Sequence, residues 1–107
     1  MNYSIVTIPP FDRQFKRLAK KHPSLSSDLA RLGDQLAENP TMGTSIGQDC
    51  YKIRVAISSS HKGKSGGARV ITYVYYTSST VFLMAIYEKS VKINISNKEI
   101  NELLKFI

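Results

Sequence analysis

The residues best suited to chemistry lie in the second half of the chain, and nearly all of them are cations. They are Lys52 and Arg54 in "YKIRVAI", His61, Lys62 and Lys64 in "HKGKSGG", Arg69 in "ARVITYVYY", and Lys89 and Lys92 in "YEKSVK", with Tyr87 beside them. From Cys50 to Asn94 seven Lys and Arg meet one acid, Glu88, so this stretch carries six of the seven net positive charges of the protein. A net charge of this size can serve solubility alone. Its concentration in one half of the chain favours a surface for a polyanion, and nucleic acid in particular.

"GKSGG" first suggests a phosphate-binding loop. A Walker-type loop needs Gly-x-x-x-x-Gly-Lys-Ser running from a strand into a helix, so that backbone N–H groups and the helix dipole meet the phosphates. Here the first glycine position is Ser58, and a run of β-branched and aromatic residues follows Gly66 and Gly67. The glycines therefore read as a flexible connection between two antiparallel strands. Other enzyme constellations are missing from the sequence. There is no His-Glu-x-x-His and no Ser-His-Asp set of usable spacing. His22 reads as a surface turn residue. The β-rich half offers only Asp49 and Glu88 as carboxylates, so no metal site and no cofactor are expected. Cys50, the single cysteine, has no partner for an intramolecular disulfide and reads as a small buried hydrophobe.

Lysine and arginine alone can cleave RNA. The 2′-OH attacks the adjacent phosphate, which leaves a 2′,3′-cyclic phosphate and a free 5′-OH. A base must take the 2′-OH proton, cations must stabilise the pentavalent dianion, and an acid must protonate the leaving oxygen. A lysine crowded by cations can act as base, and arginine offers a fork for the non-bridging oxygens.

The elements that must position these groups follow from periodicity. "NYSIVTI" reads as a short strand stopped by Pro9 and Pro10. Phe11, Phe15, Leu18 and Ala19 form one apolar stripe of an amphipathic helix with a basic outer face. After "HPS", with Ser24 as candidate N-cap, Leu25, Leu29, Leu32 and Leu36 mark a second helix. Residues 41–49 read as a polar loop. "YKIRVAI" then alternates with period two, its polar face carrying Lys52 and Arg54. "ARVITYVYY" and "VFLMAIYEK", joined by "TSST", read as central strands, apolar on both faces. Ser96 and Glu99 fit a capping box for a last helix striped by Ile100, Leu103, Leu104 and Ile107. The expectation is an α+β domain of order β-α-α-β-β-β-α, an antiparallel-rich sheet packed on an N-terminal helical hairpin with a C-terminal helix.

A chain of 107 residues, 42% hydrophobic and 21% charged, suits one globular domain over residues 1–107. It holds no apolar run of bilayer length and no secretory pattern at its start, so the expected setting is the cytoplasm, with no membrane partner.

Taken together, "YKIRVAI", "GKSGGARVITYVYY" and "VFLMAIYEKSVKINISNKEI" resemble the RelE/HigB toxins of bacterial type II toxin–antitoxin modules, in the RelE/ParE superfamily, and most of all the HigB-like branch. The resemblance implies a ribosome-dependent, metal-independent mRNA endoribonuclease, or interferase, held in check by a cognate antitoxin, a small helix-turn-helix protein. Carried over by position, Arg69 would stabilise the phosphorane, and Lys52 and Arg54 would fill the preceding strand's basic positions, with Lys52 as candidate base. Lys89 would stand near the family's catalytic cation, and Tyr87 would stack on a base or orient the backbone. His61, Lys62, Lys64 and Lys92 would grip RNA phosphates. The chain has no tyrosine after Tyr87, as the best-known RelE pattern has, and lacks the Glu/His set of the YoeB-like branch, which leaves the general acid and base open. Two other readings are a ParE-like toxin that inhibits gyrase on the same scaffold and a non-catalytic RNA-binding module.

Overall fold

The computed structural model describes residues 2–60 and 66–107. The elements are β1 (Ser4–Thr7), α1 (Pro9–Lys21), α2 (Leu25–Glu38), β2 (Thr44–Gly47), β3 (Cys50–Val55), β4 (Ala68–Tyr75), β5 (Thr80–Glu88) and α3 (Asn97–Leu104), with short 3-10 turns at Ser58–Ser60 and Tyr76–Ser78. One sheet runs in the order β1-β5-β4-β3-β2; β1 is parallel to β5 and every other pair is antiparallel. The α+β class and the expected order of elements hold, with one strand added.

That strand is β2, in the segment read from sequence as a loop. It is short, polar and at the sheet edge, so it carries no apolar alternation. Its connection to β3 is a two-residue turn in which Gln48 and Asp49 both take positive φ, 56° and 58°. Such turns favour Asn-Gly or Asp-Gly, and Gln-Asp gives no comparable signal. Gly43 (φ 98°) allows the chain to enter β2, since a Cβ there would lie 2.6 Å from the Lys52 carbonyl oxygen.

The expected apolar stripes face inward, except that the last helix ends at Leu104 and Ile107, expected in its stripe, is exposed. Phe11, Leu25, Leu29, Leu32 and Leu36 are buried, with Phe15, Leu18 and Ala19 packed against them. Cross-strand pairing sorts the sheet residues by face. Val55, Ile53, Val70, Ile86 and Leu83 share the face beneath α1 and α2. Lys52, Arg54, Arg69, Ile71, Tyr73, Ala85 and Tyr87 share the other. α3 lies on this second face, with Ile100 1% exposed, Leu103 near Ala85 and Tyr87, and Leu104 near Tyr73. Helices on both faces explain why β4 and β5 are apolar throughout. β5 outruns β1, and α1 completes its edge: the Ile86 N–H donates to Gln14 Oε1 at 2.9 Å.

The Ser96–Glu99 capping box forms as expected. Ser24 is different. Its own backbone is helical, and its hydroxyl makes no cap hydrogen bond. It donates instead to Asp28 Oδ2 at 2.8 Å and accepts the Ser59 N–H at 2.9 Å. Asp28 also accepts from the Ser58 N–H (3.0 Å), the Ser58 hydroxyl (2.6 Å) and Arg31 (2.6 Å). One buried carboxylate thus fixes the exit of β3 to α2. Burial alone would push its pKa up, but the hydrogen bonds from Ser58 and Ser24 and the charge of Arg31 outweigh burial and hold it below the usual value.

The sign of the resulting pH dependence follows directly. A carboxylate whose folded-state pKa is depressed contributes stability above its unfolded pKa and loses it as pH falls through the folded value. Asp28→Asn should therefore lower unfolding free energy by about 2 kcal/mol near neutrality. In urea melts the gap between variant and parent should narrow as pH drops below about 4.

Candidate nucleic-acid interface

Antiparallel register brings three of the expected site residues into one row. Arg54 in β3 pairs with Arg69 in β4, and Arg69 pairs with Tyr87 in β5. Directly opposed residues share a face, with Cβ atoms about 5 Å apart. Two arginines so placed repel each other, and an anion between them removes the penalty. Lys52 lies one row along, opposite Ile71, and its Nζ donates to Asn94 Oδ1 at 3.5 Å in the β5–α3 connection. Lys89 follows β5 in a turn, its backbone N–H bonded to the Gly67 carbonyl at 3.1 Å and its side chain exposed. Lys52, Arg54, Arg69 and Tyr87 therefore gather at one end of one face, and Lys89 lies just past the end of β5. His61, Lys62 and Lys64 lie outside the described residues.

Burial differs sharply along the row. Arg54 is exposed, whereas Arg69 is 4% exposed and donates to the Ala68 carbonyl at 3.1 Å. Tyr87 is 8% exposed. Lys92 Nζ lies over its ring, 5.6 Å from the centroid. The phenol oxygen is buried and has no hydrogen-bond partner among the described residues. Burial raises its pKa, the Arg69 charge opposes the rise, and the Glu99 charge adds to it.

The acids of this half divide between the two faces. Glu88 points to the α1 side, 3.0 Å from Lys21 Nζ and 3.5 Å from His22 Nε2. The hydrogen bond from Lys21 is the largest of the influences holding its carboxyl below the usual range. His22 is accordingly half-buried against Glu88 rather than a free surface residue. Glu99 stands on the cationic face, paired with Lys92. Sequence reasoning assigned Glu99 only to the capping box, although its i+7 spacing from Lys92 across a turn was the available signal. Beside the row, a cavity of about 570 Å³ opens between α1, β5 and α3, with Arg13, Gln14, Tyr87, Lys92 and Phe106 in its lining. Among the described residues no three His, Cys, Asp or Glu side chains stand together as a metal site. Cys50 is buried, and burial pushes its thiol up to about 11. No described helix is long and apolar enough to cross a membrane.

Comparison with known proteins agrees with the fold. A family model described as the RelE toxin of the RelE/RelB toxin–antitoxin system matches residues 11–106. No curated protein sequence matches the chain. Among solved structures, a free mutant of E. coli toxin RelE is 20% identical, with a TM-score of 0.65, and the match covers 100% of this chain and 99% of that one. The intact E. coli RelBE toxin–antitoxin complex gives 17% identity and a TM-score of 0.60 over 78% of this chain and 93% of that chain. The RelE mutant bound to an antitoxin RelBc peptide gives 21% and 0.59 over 100% and 99%. At these identities the likeness is one of fold.

The orphaned hydroxyl gives a test of the site's geometry. Removing a buried, unpartnered hydroxyl should cost nothing, so Tyr87→Phe should leave unfolding free energy unchanged or raise it by up to about 1 kcal/mol. A loss of that size in a thermal or urea melt would show that the phenol has a partner.

Proposed function

The chain belongs to the RelE toxin family of toxin–antitoxin systems, and from that premise we propose that it is a ribosome-dependent endoribonuclease that cuts mRNA without a metal ion. The observation that carries this reading is the row Arg54–Arg69–Tyr87 on one sheet face, with Lys52 one row along and Lys89 in the turn that follows β5. RNA would lie across that end of the face with its scissile phosphate near the arginines. Lys52 takes the 2′-OH proton as the 2′-oxygen bonds to phosphorus. Arg54 and Arg69 stabilise the charge that grows on the non-bridging oxygens. The bond from phosphorus to the 5′-oxygen then breaks, and that oxygen gains a proton from an acid, for which Lys89 is the nearest exposed candidate by position. The products are a 2′,3′-cyclic phosphate and a 5′-OH.

Lys92 and the loop residues His61, Lys62 and Lys64 add sequence-independent attraction for phosphates. Ribosome and mRNA place the activity in the cytoplasm. E. coli RelE is found in complex with RelB, and by extension we assign this chain a cognate antitoxin, a small helix-turn-helix protein whose acidic or amphipathic segment covers the basic face or α3.

The test is primer extension on mRNA after induction, repeated in a purified translation system. Arg69→Ala and Lys89→Ala should each lower cleavage about 100-fold or more, the usual loss for a cation that acts on transition-state charge. Both variants should also relieve growth inhibition. Full cleavage by both would remove the assigned site, and intact mRNA with gyrase-linked DNA breaks would favour a gyrase-directed toxin.

A further inference from the structure

Three features near the row remain unexplained by the proposed chemistry. Lys92 covers the one aromatic ring of the site. The Tyr87 hydroxyl is buried without a partner among the described residues. The carboxylate of Glu99 divides its oxygens: Oε1 accepts the Ser96 N–H at 3.1 Å, closing the capping box, while Oε2 takes Lys92 Nζ.

We propose that Glu99 is a positioning residue that holds Lys92 on the face of Tyr87 in the free protein, so that RNA must draw Lys92 off the ring to reach the tyrosine. The turn after β5 sets the approach, because the backbone N–H groups of Val91 and Lys92 both bond to the Glu88 carbonyl at 3.1 Å. The Lys92 side chain then has two partners, the Tyr87 ring and the Glu99 carboxylate. The first turn of α3 fixes Glu99, so the ion pair starts from a rigid anchor and loses less side-chain entropy than two free surface chains would. The hydrogen bond from Lys92 is also the largest cause of the depressed carboxyl pKa of Glu99, which keeps the restraint charged at neutral pH. A phosphate competes with both partners of Lys92 at once. When it takes the lysine, the ring and its unsatisfied hydroxyl are left to meet the RNA.

Glutamine at this position separates the two duties of Glu99, since a capping box accepts Glu or Gln while only the carboxylate can pair with Lys92. The first readout needs no RNA and stands apart from the proposed ribonuclease activity: ring resonances of Tyr87 in carbon-13-labelled full-length protein. Glu99→Gln and Lys92→Met should shift them in the same direction, the double variant should add nothing, and Ser96→Ala, which weakens the cap and keeps the charge, should leave them in place. The second readout is steady-state mRNA cleavage on ribosomes. Glu99→Gln should lower KM about two- to fivefold, the strength of one partly exposed ion pair. That gain should vanish in the Lys92→Met background. An unmoved Tyr87 ring in Glu99→Gln, an equal shift in Ser96→Ala, a KM that rises, or a gain that survives without Lys92 would each overturn the proposal.

Discussion

The cationic end of the sheet depends on the antiparallel register of β3, β4 and β5. Because side chains alternate across a strand, a slip of one residue would send Arg69 into the layer of Val70 and Ile86 beneath α1 and α2. Burial on both sides prevents that slip. Ala68, Val70, Ile71 and Val74 are fully enclosed, and neither face of β4 could take its neighbour's residues without exposing them. Register is thus set by the hydrophobic core, and the row Arg54–Arg69–Tyr87 follows from it.

The length of α3 decides where the core ends and the site begins. Eight helical residues span about 12 Å, whereas nine residues of β5 span about 30 Å. Laid over Tyr73, Ile71 and Ala85, the helix cannot also cover the far end of the strands. There the sequence changes character: apolar residues give way to Arg69 and Arg54, and the chain leaves β5 through Lys89 and Lys92. The same shortfall leaves the cavity between α1, β5 and α3, into which Tyr87 faces. Along this end Arg54 and Lys89 are exposed, whereas Arg69 and Tyr87 stay buried within the same region.

Legibility in the sequence followed the strength of each local signal. Helical stripes such as Leu25, Leu29, Leu32 and Leu36, and the alternation of "YKIRVAI", were readable because burial on one side imposes a period on the chain. β2 was not, because an edge strand of four residues with a single large apolar side chain, Ile46, shows no alternation and its turn uses Gln-Asp. Ser24 carried a correct cap signature and a different partner, since Asp28 and Ser59, 35 residues away from it in the latter case, compete for the same hydroxyl. That competition is tertiary and leaves no periodic trace. The members of the site could be named from charge and type, yet their grouping into a single row required the register, and the covering of Tyr87 by Lys92 required the turn after β5.

Electrostatics gives the glycine-rich segment its place in this arrangement. Gly67 is buried, and its carbonyl takes the Lys89 N–H, so the start of β4 and the end of β5 are tied together where the cations gather. On the other strand, Asp28 anchors Ser58 and the turn after β3. Both ends of the connection that carries His61, Lys62 and Lys64 are therefore fixed to the core beside Arg54 and Arg69. Two acids that could neutralise this end are kept from doing so freely: Glu88 is held by Lys21 on the opposite face, and Glu99 is occupied by Lys92 and the helix cap. The enclosed strands hold these cations in register, and an incoming anion would add favourable charge contacts at this end of the face.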